Sequence, residues 1–157
     1  MNHIALVEKF YRSFAAGDLA GMISCYHKEI EFEDPAFGKL KNDMPALMWK
    51  MLLDRAKGDL KITYGHVKAG EKNGSAKWEA HYHFGEKRRK VINRIQANFE
   101  FRDGLIYRHT DSFDVWKWSS QALGMSGYIL GWSSYMKQKI RQKSLALLNS
   151  YITQTSH

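Results

Sequence analysis

The chain has 157 residues, 44% of them hydrophobic and 25% charged, with a formal charge of +8 at neutral pH; this suits one globular domain with a sizeable core. Two prolines exclude a linker-rich or disordered protein. A single cysteine, Cys25, excludes an internal disulfide and predicts a reducing, cytoplasmic setting.

Taken in chain order, residues 3–16 repeat apolar positions at helical spacing through Ile4, Val7, Phe10, Tyr11 and Phe14, and Gly17 ends that helix. Its charges at Glu8, Lys9 and Arg12 do not fit a secretory signal. Asp18 is placed to cap a second short helix carrying Leu19, Met22, Ile23 and Tyr26, with His27 a solvated cap at its end. A short strand follows, with Ile30, Phe32 and Asp34 on one face and Glu31 and Glu33 on the other. Asn42-Asp43 opens a third helix through Leu47, Met48, Met51 and Leu52 that ends near Gly58. From Leu60 the pattern changes to period two. Strands are predicted over 60–69, 77–84, 91–101 and 105–115, with a hairpin turn at Arg102-Asp103-Gly104. Trp78, Ala80, Tyr82 and Phe84 share one face, as do Val91, Asn93, Ile95, Ala97, Phe99 and Phe101. Tyr107, His109, Asp111 and Phe113 share another. Ser120–Leu123 is predicted as a short helix closed by Gly124, and Ser133 or Ser134 caps a last helix with Met136, Ile140, Leu147, Leu148 and Tyr151 on one stripe. Helices first and strands afterwards predict an α+β domain with helices on one face of a curved sheet.

Asp34 is a carboxylate at the end of an apolar row, and Pro35 stops the ladder there. Such a group tends to a raised pKa and to proton transfer, although an Asp-Pro turn explains it too. His109 and Asp111 lie about 7 Å apart on one strand face, a pair able to move a proton or close the sheet as a hydrogen-bonded couple. Asn93 breaks an apolar stripe and suits either a carbonyl-binding donor or a bulge. Trp49, Trp78 and Tyr82 suit a ligand-lining role or plain core. His81 and His83 share a face with Glu79, but no carboxylate or thiolate cluster completes a metal site, and no cofactor motif is present. The basic run Lys87-Arg88-Arg89-Lys90 fits a solvated turn. It leaves an anionic ligand or lipid surface open, while the scattered remainder predicts no nucleic-acid or membrane partner.

The element order, with Ala16-Gly17-Asp18-Leu19-Ala20-Gly21, Tyr26 and Phe32-Glu33-Asp34-Pro35, resembles the nuclear transport factor 2-like superfamily over roughly residues 1–116. Ketosteroid isomerases and SnoaL-like polyketide cyclases belong to it. The resemblance implies a cone, a curved antiparallel sheet with N-terminal helices packed around a hydrophobic pocket, paired as a homodimer through the sheet. It places Asp34 where the isomerases keep their base, but Phe10 and Ala97 where they keep a tyrosine and a protonated aspartate. Neither can donate to an enolate, so ketosteroid isomerisation is not expected. The segment Gly104–Asp111 is similar to the SnoaL-like strand, in which a histidine and an aspartate two residues apart face the pocket. Arg94 and Arg108 point away, against the Asp-Arg-Asp arrangement of the superfamily's epoxide hydrolases. The expected function is a cofactor-free acid/base enzyme, of isomerase, cyclase or dehydratase type, acting on a small apolar carbonyl or hydroxyl compound. Asp34, His109 and Asp111 would be catalytic, and Asn93, Trp49, Trp78 and Tyr82 would bind substrate. The alternative is a non-catalytic binding or interaction module. Residues 117–157 form a helical extension; the apolar stretch Trp116-Lys-Trp118 with Gly127–Trp132 predicts that it packs over the pocket mouth or a partner subunit.

Overall fold

A computed structural model describes residues 2–130 and 133–155, without the side chains of residues 129 and 130. Helix α1 (His3–Ala15) starts at Asn2, whose side chain accepts from the Ala5 N–H at 2.7 Å. It buries Leu6, Val7, Phe10, Tyr11 and Phe14. Asp18 caps α2 (Leu19–Ile23) by accepting from Gly21 N–H at 3.0 Å. Strand β1 (Tyr26–Asp34) begins at Tyr26, a residue whose spacing predicted the end of a helix. His27, expected to be solvated, is buried beside Asp103, with Nε2 and a carboxylate oxygen 3.0 Å apart.

Strand β2 (Gly38–Lys41) has no counterpart in the predicted elements. It exists because Asp34 Oδ1 accepts both Ala36 N–H (3.0 Å) and Phe37 N–H (2.6 Å), folding the chain back after Pro35. Leu40 then lies opposite Phe32. Helix α3 (Met44–Ala56) follows, with Pro45 in its first turn. Strands β3 (Leu60–Ala69), β4 (Asn73–Phe84), β5 (Arg89–Arg102) and β6 (Leu105–Ser112) complete one sheet in the order β2-β1-β6-β5-β4-β3. Asp103 and Gly104 both have positive φ (55° and 74°), as a two-residue hairpin turn requires. All pairings are antiparallel except β1–β6. The sheet is therefore mixed, because the chain returns to β1 only after β3, β4 and β5 have been laid down.

A bulge corrects one predicted face. Glu100 pairs with Arg108 and Phe101 with Ile106, which leaves Tyr107 as the extra residue. Tyr107 turns outward under the Arg102 guanidinium, while His109 and Asp111 face the core.

β6 ends at Ser112 and α4 (Val115–Leu123) starts earlier than predicted, because Asp114 accepts from Lys117 N–H at 3.1 Å. Helices α5 (Met125–Leu130) and α6 (Ser134–Thr155) follow. Helix α4 is fastened to β5 by Gln121, whose side chain accepts from Ile92 N–H (2.8 Å) and donates to Ile92 C=O (3.2 Å). Helix α6 lies on α3, where Lys50 Nζ donates to Tyr151 Oη at 2.6 Å and Tyr151 donates to Asp54. Leu148 is fully buried there. Of the apolar stretch 127–132, residues 131 and 132 lie outside the described residues. Among the described residues no helix is long and apolar enough to cross a membrane.

Candidate functional site

The inward residues of the central strands form levels across the sheet. Phe32 on β1, His109 on β6 and Phe99 on β5 make one level, since Phe32 pairs with His109 and His109 with Phe99. The next inward residue along each strand gives Asp34, Asp111 and Ala97, with Ala76 of β4 beyond. Ala76 and Ala97 are completely buried and small, so Asp111 has room for larger neighbours from other elements.

Those neighbours build a hydrogen-bonded chain. Trp49 Nε1 donates to Tyr26 Oη at 3.1 Å. Tyr26 Oη lies 2.7 Å from His109 Nδ1, and His109 Nε2 lies 2.9 Å from Asp111 Oδ1. Trp78 Nε1 donates to the same Asp111 oxygen at 3.3 Å. One tautomer satisfies every group: Tyr26 donates to Nδ1, and Nε2–H donates to the carboxylate. His109 is 0% exposed and Asp111 4%. Without these bonds each buried polar group would cost about 1–3 kcal/mol. Burial raises the Tyr26 phenol well above its ordinary pKa, keeping it a neutral donor.

Asp34 stands beside this chain and is partly exposed. Burial pushes its pKa from 3.8 up to about 7, and the Asp111 charge adds to the rise. The Phe37 and Ala36 N–H groups and His109 pull the other way. Asp34 therefore changes charge near neutrality, as a proton acceptor must.

Sequence spacing gives Tyr11 only an apolar place on the first helix, beside Phe10. Both are fully buried. Phe10 lies edge-on to His109 with ring centres 5.5 Å apart. Tyr11 lies against Trp78 (6.0 Å) and Phe99 (6.3 Å), and its hydroxyl is buried without a hydrogen-bond partner. Burial, then the charge of Asp111, raises its pKa well above the ordinary value. The spacing of Tyr26 from Met22 fits a helical core face and does not mark it for this hydrogen-bonded chain. Only the His109 partner across the sheet reveals its role.

The residues named from sequence separate into two groups. Asp34, His109, Asp111, Trp49 and Trp78 come together. The two tryptophans spend their N–H groups on Tyr26 and Asp111, and their rings, 6.4 Å apart, fill the interior. Asn93 and Tyr82 lie elsewhere. Asn93 is two inward steps farther along β5 than Ala97, about 13 Å by strand rise. Tyr82 Oη accepts from Trp118 Nε1 of α4 at 2.7 Å. His81 bonds Glu79 and His83 bonds Asp59, so the two histidines turn to different carboxylates. Arg94 pairs with Glu79, and Arg108 with Glu31 and Glu100, all on the outer face. Two open surface clefts, of about 560 and 240 Å³, lie at the β4–β5 hairpin and contain neither Asp34 nor the His109–Asp111 pair.

The profile of the SnoaL-like domain matches residues 7–109. A candidate polyketide cyclase from Xanthomonas campestris pv. campestris superposes with a TM-score of 0.60 at 19% identity, covering 74% of this chain and 93% of that one. An LEH-like epoxide hydrolase of M. tuberculosis gives 0.60 at 19%, covering 81% and 94%. A candidate polyketide cyclase from Pseudomonas putida gives 0.62 at 15%, covering 78% and 98%. At such identities the likeness carries the fold alone. No curated protein matches the sequence. The profile match, the six-stranded mixed sheet and the helices packed on it agree, and the chain belongs to the SnoaL-like domain family of the nuclear transport factor 2-like superfamily.

Proposed function

We propose that this protein is a cofactor-independent acid/base enzyme of isomerase, cyclase or dehydratase type, acting on a small apolar carbonyl or hydroxyl compound. The observation that carries the reading is Asp34, a carboxylate with a pKa of about 7 beside a buried Tyr26–His109–Asp111 chain. Asp34 takes a proton from carbon next to the carbonyl. Tyr11, the buried hydroxyl with no partner, donates to the oxygen on which charge develops. The His109–Asp111 pair, fixed by Tyr26 and Trp78, handles the second proton. Asn93, whose side chain makes no hydrogen bond among the described residues, anchors the far end of a longer substrate.

Arg141 of α6 rests against Gly38, the residue paired with Asp34, so the extension covers the end of β1. The reading includes a homodimer formed through the outer sheet face, which light scattering tests directly. The alternative, a non-catalytic binding or interaction module, is supported by the rings of Trp49, Trp78, Phe10 and Phe99 that occupy the interior.

The test is proton exchange in D2O with a panel of cyclic ketones, 1,3-diketones and β-hydroxyketones, followed by proton NMR. Loss of the α-proton signal with the wild type, abolished in Asp34→Asn and in Asp111→Asn with folding intact, is the expected result. Exchange that persists in both variants overturns the assignment, and no exchange with any panel member favours the binding module.

A further inference from the structure

The positive charge of this chain is concentrated in two places. Outside residues 87–90 and 115–157 it holds 15 Lys and Arg against 16 Asp and Glu. The four residues 87–90 are all basic, and 115–157 carries five Lys and Arg with no acidic residue. The fold brings α4, with Lys117, against the hairpin strand β5, while the other four basic residues of 115–157 lie on α6, which packs on α3. Between α4 and the hairpin lies the open cleft of about 560 Å³, lined by Lys87, Arg89, Lys90, Ser120 and Gln121.

Arg89 is held in that cleft rather than left loose. Its Nε donates to Gln121 C=O at 2.8 Å, and Gln121 is itself bound to Ile92 on both sides of the peptide. The guanidinium lies on Gly124, whose φ is +69° and where a Cβ would come within 3.1 Å of Cζ. A cation at the carbonyl end of a helix is a stabilising arrangement in itself. It uses only one of the guanidinium's donor nitrogens, however. Among the described residues no carboxylate lies within salt-bridge distance of Lys87, Arg89 or Lys90, whereas Arg88, Arg94 and Arg108 are paired with acids. Glu86, the acid of the same turn, is exposed and does not line the cleft.

We infer that this cleft is a binding site for a phosphate-bearing anion. A planar guanidinium with free terminal nitrogens and two flanking ammonium groups form a cationic wall, which fits a phosphate group, while the Ser120 hydroxyl donates to Trp116 C=O at 2.8 Å and only borders the cleft. The site shares no residue with Asp34, His109 or Asp111, so its failure leaves the proposed chemistry standing.

Pyrophosphate titrated calorimetrically into the full chain is expected to bind and to weaken as sodium chloride is added. Arg89→Gln with Lys90→Gln should lower the affinity about tenfold or more, as expected for lost charge-assisted hydrogen bonds. Lys87→Gln with Lys90→Gln, which leaves the Arg89–Gln121 bond in place, should lower it too without moving Tm. Cosedimentation with phosphatidylcholine vesicles, with and without phosphatidylglycerol, separates the sources. Retention only by the anionic vesicles, lost in the double variants, assigns a lipid headgroup; pyrophosphate binding without retention assigns a soluble phosphate. Neither binding, binding equal in both double variants and the wild type, or capture of an oligonucleotide that pyrophosphate does not displace overturns the inference.

Discussion

Asp34 and Asp111 sit one step beyond the last β1–β6 pair, Glu33 with Thr110, on neighbouring parallel strands and facing the same interior. Burial raises the pKa of Asp34, and the neighbouring Asp111 charge adds to the rise. Asp111 is supplied with His109 and Trp78, and Asp34 carries the rise in pKa.

This has a consequence for stability that does not depend on knowing a substrate. The folded-state pKa of Asp34 lies above its unfolded value, so the folded state holds the extra proton between about pH 4 and 7. Its contribution to stability is then present at acid pH and lost as pH rises through 7. Asp34→Asn should stabilise the protein at pH 8 by up to about 4 kcal/mol and change little at pH 4. Urea unfolding at the two pH values measures this, and equal effects at both would contradict the placement of Asp34.

The same value sets the pH profile. With Asp34 as the base, kcat/KM for proton abstraction should rise with an apparent pKa near 7 and then level off. A flat profile between pH 5 and 9 would exclude Asp34 as the acceptor.

Tyr26→Phe removes one oxygen and leaves both Trp49 Nε1 and His109 Nδ1 without partners. A destabilisation of about 2–4 kcal/mol is expected in chemical denaturation, more than the loss of one hydroxyl from a wet site. A change below about 0.5 kcal/mol would show that the chain Trp49–Tyr26–His109 is not maintained.

Tyr11→Phe should behave oppositely. Its hydroxyl has no partner, so removing it is expected to be neutral or stabilising by about 1 kcal/mol. The same change should cut kcat about tenfold or more if the hydroxyl meets the substrate oxygen. Unchanged turnover would leave Tyr11 as core only.

Deleting residues 120–157 removes the Gln121 clasp on Ile92 and the buried Ala122, Met136 and Leu148. Aggregation is expected from the uncovered apolar faces of α3 and β5. A soluble truncated protein with unchanged size in light scattering would count against a structural role for the extension.

Much of this architecture is legible in the sequence, and the exceptions share a cause. Asp18 and Asp103-Gly104 act through neighbours a few residues away, so the cap and the turn follow from local pattern. The period-two faces place His109 and Asp111 inward for the same reason. Strand β2, by contrast, needs the side chain of Asp34 to fold the chain back, and its four residues are too few to show a period. The bulge at Tyr107 changes which residues share a face, and nothing within β6 announces it. Tyr26 looks helical from its spacing to Met22 and acquires its meaning only from His109, a partner 83 positions away. Trp49 and Trp78 are aromatic in any reading; that their N–H groups serve the interior chain is a tertiary fact.

The parallel β1–β6 pairing also orders events in time. β1 is made early, yet its partner strand is translated only after α3, β3, β4 and β5. Until β6 emerges, Phe32 and Asp34 border an open sheet edge, and β5 lacks its second neighbour. Closing that gap is the longest-range pairing within the sheet, a slow kind of contact to form. The sheet interior bearing Asp34, His109 and Asp111 is therefore completed late, and a nascent chain stalled before residue 105 would present two unfinished strands without His109 and Asp111.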